Sequence, residues 1–381
     1  VLSDSNGKPK FSVSSTIVEP SDVWIITVGS PLYDGEENPN LLAVERVTFD
    51  ISKFLKKGDL VIARSTVPVG ITRSIIAKVL EQNTGLLAGK DFSLVFAPER
   101  TVEGAALTEI KTLPQIIGGI NKNSVETAKA FFELFVDQCI EVESLEAAEL
   151  LKLMGNAYRD FHFSFANQMS IIATKMGINL PSLILSANKD YPRNKIPLPS
   201  PGVGGACLSK DSYLLQASAE RFHSSADLIV SARKTNEKMP YVIIDRVESF
   251  LSNLGLKREE TRFFLLGLAF KGNPPTSDIR NSVALDFIKI IKNRGYQEIY
   301  GYDPHIEKDV IESLEIKHCF IEEGVKKSHV ILILNNNPLY LEQPIYRYLS
   351  ESDKPTIFFD GWNQFNSEVY KKMSHVNYLG L

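Results

Sequence analysis

The sequence predicts an α/β protein: two mostly parallel, doubly wound sheets joined by a helical middle section with one long helix. Three observations carry that prediction. Between Val23 and Val142, short apolar runs closed by turn residues alternate with stretches of helical periodicity. From Ser144 to Met176 the helical spacing continues unbroken. From Arg262 onward the strand–helix alternation returns.

In chain order, Val23–Val28 reads as a buried strand ended by Gly29-Ser30-Pro31, and Asn40 is placed to cap a helix over Leu41–Lys57. Leu60–Ala63 is the next strand, ended by Arg64-Ser65-Thr66-Val67-Pro68, with a helix over Ile71–Gln82 after it. Ser93–Ala97 ends in Pro98-Glu99-Arg100, and strands at Gln115–Ile117 and Ile140–Val142 flank a helix over Ser124–Val136. Ligands of such sheets bind beyond the carboxyl ends of the strands. Ser30, Thr66 and Glu99 stand at three such ends and are expected to converge, although each is also a commonplace turn residue. A dinucleotide-binding sheet opens with a strand, a glycine-rich turn and a helix. None precedes Val23, and the chain starts without methionine in a polar stretch, Val1 to Ser15. A segment on the order of 60 residues, two strand–helix units, is expected to be missing.

Ser144 is a good cap for the long helix, Glu146 and Glu149 suit its first turns, and Lys175 with Gly177 closes it. Its length would be about 48 Å. Leu151, Met154, Tyr158, Phe161, Phe165 and Met169 form a broad apolar face suited to core and subunit contact. Lys152 and Asn156 share a face at four-residue spacing, which equally fits a surface pair. Helices over Pro181–Asn188, Lys210–Phe222 and Ala226–Val247 complete the middle section.

The second alternation runs from a strand at Arg262–Phe270 through a loop, Lys271–Ser282, to a helix at Val283–Asn293. Strands follow at Glu298–Tyr302, Val330–Leu334 and Thr356–Asp360. In its first turn, Lys271 and Arg280 stand where a glycine fingerprint would be. They could grip a diphosphate, or the loop could be solvated and closed by an Asp278–Arg280 contact.

Pro199 to Asp211 is the stretch richest in chemistry. Its glycines, Gly204 among them, let the backbone approach a ligand closely, and its prolines stiffen the approach. Cys207 falls where a helix begins, a setting that favours thiolate. Lys210 adds positive charge, and Asp211 can handle a proton or fix a hydroxyl. A tight turn around a buried cysteine fits the same letters. Gly202-Val203-Gly204 is no dinucleotide fingerprint, because no strand runs into it.

Composition narrows the field. The chain has 381 residues, enough for two or three domains, and a net charge of −4 that gives no reason to expect nucleic acid or an anionic membrane. No apolar run approaches the roughly 18 residues of a membrane span. Three scattered cysteines, Cys139, Cys207 and Cys319, suit neither a disulfide framework nor a zinc site, and fit a reducing cytosol.

Together these motifs resemble the UDP-glucose/GDP-mannose dehydrogenase family of nucleotide-sugar 6-dehydrogenases over nearly the whole chain. They are Arg64-Ser-Thr-Val-Pro68, Ala97-Pro-Glu-Arg100, Glu149-Leu-Leu-Lys-Leu-Met-Gly-Asn156, Pro201–Asp211, Gly267-Leu-Ala-Phe-Lys271 and Asp278-Ile-Arg280. The resemblance implies three domains. Residues 1–143 would be an NAD-binding Rossmann domain lacking its first part, 144–255 a helical dimerisation domain, and 256–381 a domain binding the UDP moiety. It implies catalytic roles for Cys207, Lys152, Asn156, Asp211 and Glu99. Ser30, Thr66, Glu99 and Lys210 would face NAD. Glu99, Lys152, Asn156, Arg193, Gly204 and Lys271 would face the nucleotide sugar, with no metal.

The implied reaction is NAD-dependent, four-electron oxidation of the sugar C6 alcohol to a uronate, through a thiohemiacetal and thioester on Cys207. Asn156-Ala-Tyr-Arg-Asp160 and Pro98–Gly104 resemble the branch acting on UDP-N-acetylhexosamines more than the UDP-glucose branch. A cytoplasmic homodimer formed through the long helix is expected. Ala206 stands where many relatives carry His or Ser, and Trp362 where they usually carry Arg. Two rivals remain: a β-hydroxyacid-type dehydrogenase, which needs neither the cysteine loop nor a second sheet, and a non-catalytic nucleotide-sugar-binding paralogue.

Overall fold

A computed structural model describes residues 20–193, 195–352 and 354–381. The polar stretch Val1 to Ser15 lies outside them. The chain divides into two compact units, Val1–Thr101 with Leu107–Leu153, and Val102–Ala106 with Met154–Leu381.

The first unit holds a five-stranded sheet in the order β1-β2-β3-β4-β5: β1 Val23–Ile26, β2 Leu60–Ala63, β3 Ser93–Phe96, β4 Gln115–Gly119 and β5 Cys139–Val142. All neighbours pair in parallel except β3 and β4, which are antiparallel. β2 and β3 are buried along their whole length, as their continuous apolar runs require. β1 is shorter than the sequence suggests and stands at an edge among the described residues, with Ile25 outward. Leu41, not Asn40, takes the N-cap position of the helix Leu42–Ser52, yet Asn40 Oδ1 still accepts the Leu42 N–H at 3.1 Å. The helix expected over Ile71–Gln82 opens as a π-helical stretch, Thr72–Ala77, before turning α-helical over Lys78–Thr84. A helix the sequence reading did not contain, Ala106–Thr112, precedes β4.

The long helix runs from Leu145 to Met176. Ser144 Oγ accepts the Ala147 N–H at 3.1 Å, and Gly177 leaves the helix at φ +69. Its first turns are fixed to the segment after β2. The Gly70 and Thr72 N–H groups donate to the buried Glu149 carboxylate, and Arg73 forms a two-armed ion pair with Glu146.

The second unit continues with the helices Leu180–Asn188, Leu208–Arg221 and Asp227–Asn253. It ends in an all-parallel six-stranded sheet, β11-β10-β9-β6-β7-β8. Its strands are β6 Arg262–Leu266, β7 Glu298–Tyr302, β8 Lys317–His318, β9 Val330–Ile333, β10 Thr356–Asp360 and β11 Val376–Gly380. β6 stops earlier than expected because Gly267 turns to φ +98 against Asn335. The edge strands β8 and β11 were not read from the sequence.

Candidate active site

In the first unit the carboxyl ends of β1, β2 and β3 carry Ser30, Thr66 and Glu99, and side chains tie these ends together. Ser30 Oγ donates to the Thr66 carbonyl, and Ser65 Oγ donates to the Val28 carbonyl at 2.7 Å. Arg64 forms an ion pair with Glu99, whose other oxygen accepts the Arg100 and Thr101 N–H groups at 2.8 Å each. Burial by itself would raise the Glu99 carboxyl. The Thr101 N–H and the Arg64 guanidinium outweigh it and hold the group below its ordinary value. Glu99 is therefore an ionised carboxylate at neutral pH, stronger at orienting water than at taking a proton from it. Lys152 Nζ donates to the Glu99 backbone carbonyl at 2.5 Å. Two of the sequence candidates, Glu99 and Lys152, thus meet, with Arg64 as an addition, while Ser30 and Thr66 bond to each other. The Arg64 motif was legible in the sequence, but a long-range ion pair leaves no periodic signal.

In the second unit Cys207 is exposed and occupies the N-cap of the helix Leu208–Arg221. The reading of this stretch as a turn around a buried cysteine is therefore overturned. One turn into the helix, Asp211 is fully buried. Its two oxygens accept Lys210 Nζ and Asn156 Nδ2, each at 2.6 Å. Asn156 and Lys152 each have a partner of their own, so the surface-pair reading of these two residues does not hold.

The loop after β6 packs on the cysteine stretch. The Gly205 N–H donates to the Asn281 carbonyl at 2.8 Å, and Asn281 Nδ2 donates to Ser209 Oγ at 3.1 Å. A Cβ on Gly204 would lie 2.3 Å from the Asn281 oxygen, so this glycine is required by the chain's own packing. Arg280 clasps Asp278, as one of the two loop readings anticipated. Lys271 Nζ donates to the Glu103 carbonyl at 2.5 Å, and Thr276 Oγ1 donates to the Glu103 carboxylate. Glu103 was not singled out from the sequence; its place four residues after Glu99 in the same loop was the available signal. Arg193 is exposed, with its guanidinium on the Tyr191 hydroxyl at 3.1 Å, and bonds to no other candidate among the described residues. The Trp362 indole donates to the Leu334 carbonyl at 2.9 Å, so it caps the end of β9 where a cation was expected.

Comparison with known proteins accounts for this arrangement. Residues 2–136 match the NAD binding domain of the UDP-glucose/GDP-mannose dehydrogenase family, 146–238 its central domain and 264–367 its UDP binding domain. The chain is 34% identical over 359 residues to a UDP-N-acetyl-D-mannosamine dehydrogenase of Pyrococcus horikoshii, covering 94% of this chain and 81% of the relative. It is 32% identical over 330 residues to an NDP-N-acetyl-D-galactosaminuronic acid dehydrogenase of Ralstonia solanacearum, covering 84% and 75%. A solved UDP-D-ManNAc dehydrogenase structure from Pyrococcus horikoshii superposes with a TM-score of 0.84 at 32% identity, over 95% of this chain and 81% of that one. The Staphylococcus aureus UDP-N-acetyl-mannosamine dehydrogenase gives 0.80 at 30%, over 97% and 82%.

NAD is the cofactor. Among the described residues no strand, glycine-rich turn and helix precede β1. The β-hydroxyacid-type enzyme does not account for the matched UDP binding domain, and the matched relatives are dehydrogenases rather than non-catalytic binding proteins. The chain belongs to the UDP-glucose/GDP-mannose dehydrogenase family and is an NAD-dependent nucleotide-sugar 6-dehydrogenase.

Proposed function

We propose that this enzyme oxidises the C6 alcohol of a UDP-N-acetylhexosamine to the uronate through covalent capture on Cys207. The N-acetylated sugar rests on the relatives, whose names specify UDP-N-acetyl-D-mannosamine and an N-acetyl-D-galactosaminuronic acid. The observation that carries the mechanism is the setting of Cys207, exposed at a helix N-terminus one turn before the buried Asp211–Asn156–Lys210 network. Residues 1–143 are assigned to NAD, 144–255 to dimerisation and 256–381 to the UDP moiety. Ser30, Thr66 and Lys210 are assigned to the cofactor. Arg193, Gly204 and Lys271 are assigned to the nucleotide sugar.

Bound NAD supplies the hydride-accepting chemistry. After the first oxidation, the Cys207 thiolate adds to the C6 aldehyde and forms the S–C bond of a thiohemiacetal. Loss of the second hydride together with the hydroxyl proton leaves a thioester. Water then attacks the thioester carbon, and the cysteine leaves as thiolate. Covalent capture divides a hard oxidation into easier steps and retains a reactive aldehyde. The Asn156 amide and the Lys152 ammonium are suited to the oxyanions that develop at C6. Glu99, held ionised, is assigned to orienting the attacking water, and Asp211, one turn after Cys207 on the same helix, to receiving a proton. The three cysteines are unpaired, which accords with a cytoplasmic enzyme.

Cys207→Ser tests the mechanism. The hydroxyl is a poor nucleophile without a strong base, so the variant is expected to bind UDP-sugar and NAD while forming no acid at a useful rate. Iodoacetamide is expected to label Cys207 ahead of Cys139 and Cys319, with UDP-sugar protecting it. Wild-type acid production by Cys207→Ser sinks the covalent reading.

A further inference from the structure

The most deeply buried cation of the second unit has no place in the chemistry just described. Arg233, on the helix Asp227–Asn253, is 2% exposed. Its Nη2 donates to the Val203 carbonyl at 2.8 Å, and its Nη1 to the Leu208 carbonyl at 3.2 Å. These two carbonyls bracket Cys207, one on the loop leading in and one on the first residue of its helix. Nη1 also donates to Asp160 Oδ1 at 3.0 Å, while Nε lies 3.2 Å from Glu237.

Asp160 is itself fully engaged. It accepts Asn236 Nδ2 at 2.8 Å on one oxygen and Ser212 Oγ at 3.2 Å on the other. The chain of bonds runs further, from Asn167 Nδ2 to Asn236 Oδ1 at 2.9 Å and from the Ser200 N–H to Asn167 Oδ1 at 2.8 Å. Asp160 stands one turn beyond Asn156 on the long helix, as Ser212 stands beside Asp211. The long helix therefore grips the cysteine helix twice in succession, once through Asn156–Asp211 and once through Asp160.

A charge buried this deeply is costly unless it is paired and hydrogen-bonded. A planar guanidinium can satisfy two carbonyls and a carboxylate at once from fixed directions, which a lysine ammonium on a flexible stem does not reproduce. We propose that Arg233, held by Asp160, is the positioning residue of the nucleophile. It fixes both sides of Cys207 so that the sulfur meets the aldehyde before the aldehyde escapes. The step concerned forms the Sγ–C6 bond and turns the aldehyde oxygen into a hydroxyl on taking up a proton. It oxidises nothing. A displaced sulfur therefore leaves the first oxidation running and lets free aldehyde leak.

This inference rests on the covalent reading above, and the experiment separates the two. Full-length wild type, Arg233→Lys, Ser212→Ala and Cys207→Ser are incubated with UDP-N-acetylmannosamine and NAD. Released aldehyde is trapped as an oxime with an aminooxy probe, and acid is measured by chromatography. Circular dichroism reports folding and calorimetry reports UDP affinity. Arg233→Lys is expected to fold and bind UDP as wild type does. Its ratio of acid to trapped aldehyde is expected to fall by about tenfold, below the roughly 100-fold that a 1 Å misplacement can cost. Ser212→Ala, which loosens Asp160 alone, is expected to shift the ratio in the same direction by a smaller factor, and it carries the test if Arg233→Lys does not fold. A folded Arg233→Lys with the wild-type ratio overturns the proposal, as does an unfolded one accompanied by a wild-type ratio in Ser212→Ala. Cys207→Ser decides the underlying reading independently: if it makes acid like wild type, covalent capture fails whatever Arg233 does.

Discussion

At the scale of single residues, the acidic groups of the first unit divide according to what faces them. Glu99 meets a guanidinium and two N–H groups and stays ionised. Glu149 is more deeply buried and meets the N–H groups of Gly70 and Thr72 and the Thr72 side chain but no cation as close as Arg64 is to Glu99, and with Glu146 close by burial pushes its carboxyl up to about 7. A carboxyl raised in the folded state stabilises the fold while protonated. That contribution is complete below the unfolded value near 4.5 and is lost as pH rises through about 7. Glu149→Gln cannot ionise. Between pH 4.5 and 7.5 its stability should therefore gain on wild type by up to about 3 kcal/mol, at 1.36 kcal/mol per pH unit. Urea unfolding of both proteins across that range checks the prediction, and parallel pH profiles would contradict it. Lys271 belongs to the same scale. Replacing it with Ala is expected to weaken UDP binding while leaving NAD binding largely intact, and unchanged UDP affinity by calorimetry would remove Lys271 from the nucleotide site.

At the scale of elements, the junction between β4 and the long helix has no slack. A Cβ on Gly118 would lie 2.1 Å from the Ser144 carbonyl and 2.8 Å from the Ala148 methyl, and a backbone oxygen at a helix start does not yield cheaply. Gly118→Ala is expected to cost about 3 kcal/mol in chemical denaturation, the upper range for overpacking. A loss below half of that would mean the helix start shifts freely. The same elements explain what the sequence made legible. Leu60–Ala63, Glu298–Tyr302, Thr356–Asp360 and the helix Val283–Asn293 were read to the residue, because strands between layers and a strongly two-sided helix impose their pattern on every position. β8 and β11 were missed because edge pairing of a short, half-exposed run needs no such pattern. The helix Ala106–Thr112 was missed because it buries no residue. At the site, the residue types were legible and their bonding was not. Asn156 and Asp211 stood out separately, but nothing local announced that they would bond across 55 positions. Arg233 lay unremarked in an ordinary helical stretch because its partners come from three other segments.

At the scale of the whole molecule, the long helix presents more apolar surface than an isolated chain keeps in water. Met154, Tyr158, Phe165, Ile172 and Met176 are between 42% and 66% exposed. At 100° per residue their positions fall within about 40° of one another, so they form one stripe rather than scattered contacts. The stripe extends about 33 Å along the helix, at 1.5 Å per residue. A continuous apolar surface of this kind marks an association site. A two-fold pairing of identical helices covers it without any second partner, because each copy presents the same stripe to the other. The expected outcome is therefore a homodimer: light scattering at micromolar concentration should give twice the chain mass. Placing a charge in the middle of the stripe, as in Tyr158→Lys with Phe165→Lys, should return the single-chain mass without unfolding either sheet, since neither side chain belongs to a buried core. A wild-type protein that scatters as a single chain would mean that something other than a second copy covers this face.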